Sequence, residues 1–106
     1  MTPDITEEEN QPLVLCVLLW AFEDREDQLT AYEDEVLDLV GDHDGEVLQR
    51  LRTIATDDGP TEVQVIRFGS QAALDGYMAD ERRLAMAPQR DLAIRRTEVM
   101  EATLLV

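Results

Sequence analysis

His43 is the only histidine in the chain, so any imidazole acid–base chemistry must pass through it. An ordinary imidazole pKa of about 6.5 suits proton transfer at neutral pH. His43 also follows a helical stretch, where a protonated ring is favoured by the helix dipole alone. Its neighbours Asp42 and Asp44 could touch a cation, but three adjacent residues rarely converge on one ion, so no metal site is expected. Arg67 falls on an alternating stretch, sharing a face with Val63 and Val65, opposite Gln64, Ile66 and Phe68. A guanidinium on a half-apolar face calls for an acidic partner or an anionic ligand. The candidate partner is Glu101 or an acid of a second copy; the ligand alternative is a carboxylate or enolate. Trp20 and Phe22 end an apolar run and would stand near a cavity mouth. Tyr32 and Tyr77 sit at helical spacing among apolar residues, as core or as a flat wall for an aromatic molecule. Cys16 has no histidine or basic neighbour in sequence and reads as a small buried hydrophobe.

The balance of charge removes several classes of function. Acidic residues number 24 and basic residues 9 in 106, a formal net charge of -15. Nucleic acid and anionic membrane surfaces both need a basic footprint, so neither is an expected partner. There is no glycine-rich phosphate loop and no C-x-x-C pair, and the single cysteine excludes an internal disulfide. The longest apolar run, 13–21, is about half the ~20 residues of a membrane span. The acidic N-terminus is unlike a signal peptide, so a cytoplasmic location is expected. All basic residues are arginine, and with this acidity the composition resembles that of proteins from salt-loving microbes, where salt screens self-repulsion.

The elements that must carry these residues follow from periodicity. Residues 1–11 read as an acidic tail and 12–106 as one domain, since two cores would not fit this length. Leu13 to Trp20 is apolar on both faces and reads as a strand covered on both sides. Over 24–41 the spacing of Leu29, Tyr32, Val36, Leu39 and Val40 predicts a helix. Glu33, Asp34, Glu35 and Asp38 are assigned to its solvent side, Asp24 to its N-cap, and Gly41 or Gly45 to a left-handed stop. Strands are expected over 46–55, with Val47, Gln49, Leu51 and Thr53 on one face, and over 61–68, joined by an Asp57-Asp58-Gly59-Pro60 turn. Ser70 caps a second helix bearing Ala73, Leu74, Tyr77 and Met78; Asp80 caps another piece, and Pro88 breaks the helical region. A last strand is expected over 98–106. The order β-α-β-β-α-β is the ferredoxin-like α+β pattern, with an antiparallel sheet in the order 4-1-3-2. Helices cover one sheet face. The apolar residues on the other are best covered by a second copy about a two-fold axis.

At this point the residues resemble the dimeric α+β-barrel superfamily, and within it domain-of-unknown-function family 1330, with antibiotic-monooxygenase-type domains as relatives. The resemblance spans about 13–105, nearly the whole domain. It rests on Tyr32 midway along the first helix, on His43-Asp44-Gly45, on Arg67-Phe68-Gly69-Ser70, and on Tyr77-Met78-Ala79-Asp80 followed by Pro88 and Arg90. Arg67 and Gly69 stand where the family tends to show Glu and Pro. The resemblance implies a homodimer whose sheets form a barrel, binding a small molecule between sheets and helices. Trp20, Phe22, Arg67 and Glu101 would line that cavity. The alternatives are a cofactor-independent monooxygenase or isomerase, and a structural or stress-related dimer without ligand. In the enzyme, Arg67 would stabilise an enolate while His43 or Tyr32 moved a proton. No cofactor is implied: haem-degrading relatives use an asparagine on the first strand and a histidine on the second long helix, and here Asn10 precedes the strand and that helix has no histidine.

Overall fold

The computed structural model describes residues 11–54 and 57–105. All but one residue of the expected tail lies outside this range. Strand β1, Leu13–Ala21, is followed by helix α1, Glu26–Leu37, and a short 3-10 helix, Val40–His43. Strands β2, Gly45–Arg52, and β3, Glu62–Phe68, come next. Helices α2, Gln71–Met78, α3, Glu81–Ala85, and α4, Ala87–Ala93, lead into β4, Ile94–Ala102. The sheet order is β2-β3-β1-β4 with every neighbour antiparallel, the ferredoxin-like order expected. β1 is central, paired on both edges, and helices cover one of its two apolar faces.

Register decides which side chains meet the helices. Opposed residues share a face, so Leu15, Val17 and Leu19 of β1 join Ile66, Gln64 and Glu62 of β3 beneath the helices. The core forms where Leu15, Leu19, Ile66 and Phe68 meet Leu29 and Val36 of α1. The opposite, open face carries Val14, Cys16 and Leu18 beside Arg67, Val65 and Val63.

Local chemistry places the ends. The Ser70 hydroxyl accepts from the Ala73 N–H at 3.0 Å, and the Asp80 carboxylate accepts from the Arg82 N–H at 2.8 Å. Pro88 lies in the first turn of α4, where its missing N–H costs nothing. Several expectations need correction. α1 starts at Glu26, with Asp24 at a positive φ of 65° and thus outside any capping geometry. The left-handed stop is made by Asp44, φ 52°, rather than by Gly41 or Gly45. Gly45 is required for space: a Cβ there would lie 2.6 Å from Val40 Cγ1 and 2.8 Å from Phe68 Cε1. Gly69 leaves room for Asp44, whose Oδ2 would lie 1.8 Å from an added Cβ.

β2 contains an extra residue. Val47 opposes Ile66 and Gln49 opposes Val65, so Leu48 is a bulge and the strand changes phase there. Val47 therefore lies on the helix side, while Gln49 and Leu51 face the open side, against the strict alternation expected. β4 begins at Ile94, four residues early, because Thr97, Arg96 and, past a bulge at Arg95, Ile94 extend the pairing with β1.

Candidate functional site

A cavity of about 290 Å³ lies between the sheet and the helices. Its floor is Leu15 and Val17 of β1 with Ile66 and Phe68 of β3. Tyr32 and Val36 of α1, and Leu74 and Tyr77 of α2, wall it. Met78 and Val99 line it while remaining 47% and 57% exposed, so it opens to solvent beside them. The polar groups it contains are few: Glu33, Gln64, Arg83, Arg90, Thr97 and the two phenols. An apolar concavity with a few polar groups suits a small organic molecule.

Glu33 is the most unusual of these groups. The sequence pattern assigned it to solvent; it is only 6% exposed. It falls one residue after Tyr32, just inside the edge of the apolar stripe, and α1 rests on the two polar residues that β3 turns inward. Gln64 Nε2 donates to Glu33 Oε1 at 2.7 Å and to Glu62 Oε2 at 2.8 Å. Arg50 in turn donates to Glu62 from Nε at 2.9 Å and to Asp34 from Nη1 at 2.6 Å. Glu62 thus has a cation beside it, whereas Glu33 has a neutral amide. Burial pushes the Glu33 carboxyl up to about 7; the Gln64 hydrogen bond opposes this and the Glu62 charge adds to it. Glu33 is therefore a carboxyl that exchanges a proton near neutrality.

The phenols behave differently. Burial pushes the Tyr77 hydroxyl up to about 12, and it donates to the Val36 carbonyl at 3.3 Å. Burial also raises Tyr32, with the Glu33 charge adding to it. Both phenols stay protonated at neutral pH, and Tyr77 acts there as a donor.

The residues singled out from sequence separate in space. Tyr32 is on the cavity wall, 4% exposed. His43 is not: its Nε2 lies 2.7 Å from Asp80 Oδ2, and its ring meets Tyr77 edge-on with centroids 6.2 Å apart. Hydrogen bonds from Arg82 and then His43 hold the Asp80 carboxyl well below the usual carboxylate range, so this contact ties the 3-10 helix to the loop before α3. Arg67 lies on the open sheet face, away from the cavity floor. Glu101 opposes Leu15 and so lies on the helix side of the sheet. The expected Arg67–Glu101 pair is therefore ruled out by the register: on the open face Arg67 is flanked by Glu46 of β2 on one side and by Val14, with Ala102 beyond it, on the other.

Trp20 is 6% exposed, donates from Nε1 to the Asp58 carbonyl at 2.7 Å, and carries Arg96 over its ring at 4.5 Å. It pins the β2–β3 turn rather than lining this cavity. Phe22 is 43% exposed at the end of β1 and also stands outside it. Among the described residues no group of three or more His, Cys, Asp and Glu is placed to hold a metal ion. No helix among them is long and apolar enough to cross a membrane.

Glu33, Arg83 and Arg90 line the cavity without being among the site residues expected from sequence. One signal was available for Glu33: Gln64 shares the helix side with Ile66 and Phe68, and a buried amide requires a polar partner.

No protein-family model matches the chain, and no curated protein does. The narrower likeness to family 1330 gains nothing from that comparison. Solved structures do match. A protein of unknown function from Rhodopseudomonas palustris is 14% identical with a TM-score of 0.72, covering 100% of this chain and 95% of that one. A dabb family protein with a ferredoxin-like fold from Mesorhizobium loti is 12% identical with a TM-score of 0.65, over 90% of this chain and 98% of that one. SnoaB, a cofactor-independent oxygenase from Streptomyces nogalater, is 10% identical with a TM-score of 0.68, over 89% of this chain and 93% of that one. At these identities the likeness shows the fold alone, and the fold hosts more than one function.

Proposed function

We propose that this chain, a ferredoxin-like α+β domain, binds a small, mostly apolar molecule in the cavity between its sheet and its helices. The observation that supports this is a buried carboxyl, Glu33, set among apolar walls beside two protonated phenols. The protein acts as a homodimer through the open sheet face. That face is apolar at its centre, with Val14, Cys16, Leu18, Val63 and Val65, and Leu51 and Met100 are half-exposed at its margins. Four strands of up to nine residues offer roughly 30 by 19 Å, about 600 Å² for each copy. That approaches the roughly 800 Å² a standard interface buries per partner. Glu46, opposite Arg67, and Glu98, on the same face as Leu18, give the face both signs of charge, so a second copy can match it about a two-fold axis.

Native mass spectrometry of the protein from its own cells tests both parts. Expected is a dimer of the 12.0 kDa chain with one small additional mass per copy. A stable monomer overturns the dimer. A clean dimer that also takes up no aromatic small molecule in solution overturns the binding reading.

A second reading is favoured by the Glu33 pKa near neutrality: a cofactor-independent isomerase or oxygenase. Glu33, in place of His43, would then take a proton from the bound molecule, with Tyr32 as a donor. SnoaB, similar in fold, is a cofactor-independent oxygenase. Turnover retained in full by Glu33→Gln would sink this reading while leaving the binding one.

A further inference from the structure

Arg83 stands out among the cations of the molecule. Its Nε is buried and, among the described residues, has no hydrogen-bond partner. The other arginines near it are engaged: Arg90 with Asp91, Arg82 with Asp80 and Asp42, and Arg50 with Glu62 and Asp34. Arg83 makes no ion pair among the described residues: its Nη1 has a long contact to the Met78 carbonyl at 3.4 Å, and its guanidinium lies near enough to the Tyr77 hydroxyl to act on it. A guanidinium does not deprotonate in proteins, so it cannot escape burial by becoming neutral, as a lysine can. An unmade hydrogen bond at a buried donor carries its full desolvation cost.

Arg83 lines the cavity already described, and because its Nε is sealed from solvent the terminal nitrogens of the fork are the ones a ligand can meet. The guanidinium lies over the Tyr77 ring, its carbon 5.2 Å from the centroid, and that stacking fixes the plane of the fork. Tyr77 is held in turn by its hydrogen bond to Val36 and by Phe68, with ring centroids 5.5 Å apart. The guanidinium is thus preorganised beside a largely apolar space. The chain carries a net charge of -15, a field that repels anions in general. A cation inside the cavity offsets that field locally.

We infer that the cavity takes a mostly apolar molecule bearing an anionic acceptor oxygen (a carboxylate, phenolate or enolate), and that the Arg83 guanidinium receives this oxygen. This rests on the reading of the cavity as the binding site and adds the chemical class of its ligand. Arg83 is the specificity-determining residue; Glu33 supplies no preference for an anion, since its own charge would oppose one.

The test compares naphthoate with ethylnaphthalene, substituted at the same ring position, by equilibrium titration of the full chain. The two have similar shape, and only the first has oxygens. Wild-type protein is expected to bind naphthoate about tenfold or more tighter, the gain of one charge-assisted hydrogen bond. Arg83→Met keeps the stem against Tyr77 and is expected to abolish the preference by weakening naphthoate alone. Arg83→Lys keeps the charge without the planar fork and is expected to restore only part of it. Equal binding of both probes to the wild type, or an unchanged ratio in Arg83→Met, overturns the inference and leaves the cavity reading standing. If Arg83→Met does not fold, an unchanged ratio in Arg83→Lys overturns it instead. Binding of neither probe overturns the cavity reading and the inference with it.

Discussion

Glu33→Gln is expected to make the protein increasingly more stable than the wild type as pH rises from about 4.5, with the full gain reached above pH 7. The folded state holds the Glu33 proton up to about pH 7, whereas an unfolded chain releases it near the ordinary value of 4.5. Below pH 4.5 both states are protonated, and the side chain contributes no pH dependence. Between those values the folded state binds the extra proton, so stability falls as pH rises. Above pH 7 the folded protein bears the whole cost of an ionised carboxyl in the cavity. The rise from 4.5 to about 7 corresponds to about 3 kcal/mol. Glutamine cannot ionise, and its carbonyl can still accept from Gln64 Nε2. Denaturant unfolding of the two proteins at pH 4, 6 and 8 checks this. The curves should coincide at the lowest pH and diverge upward for the variant. Curves that run parallel would show that Glu33 titrates normally, and the proton-transfer reading would lose its base.

Phe68→Ala is expected to destabilise the fold by about 3–5 kcal/mol. Phe68 is 1% exposed, packs on Tyr77 and fills the space that Gly45 leaves open. Its loss would leave a void continuous with the cavity, and the Tyr77 ring would lose its support. In a domain of this size, with total stability of about 5–15 kcal/mol, the midpoint should drop by about 15 °C or more. Thermal unfolding followed by circular dichroism measures it. A drop of only a few degrees would mean that the neighbouring side chains collapse into the gap, and that the site has no rigid floor.

The strands and the order of elements were legible because they rest on local patterns. An apolar run with β-branched residues, a turn-forming tetrapeptide, and Ser70, Asp80 and Pro88 each act within a few positions of themselves. The phase of β3 was legible for the same reason, and Gln64 was already on the helix side. Apart from Asp24, whose left-handed backbone takes it out of the cap, the failures involve partners far along the chain. Glu33 looks like one acid in an acidic run until β3 brings Gln64 against it, 31 positions away. The separation of Arg67 from Glu101 depends on the register of β4, whose start at Ile94 is set by pairing with Ala21. Asp44 stops the 3-10 helix in a left-handed conformation because Gly69, 25 positions on, leaves space for its side chain and donates its N–H to its carbonyl.

The extra residue in β2 bears on how the gene can change length. Loss of a codon within an ordinary strand makes every side chain beyond the lesion trade faces. Loss of the codon for Leu48 does the opposite: Val47 stays across from Ile66, Gln49 stays across from Val65, and the two become consecutive. Arg50 keeps its place beside Glu62, and the turn that follows keeps its position. β2 can shed that residue at the cost of local twist, whereas β1, buried between two neighbours, has no such spare position.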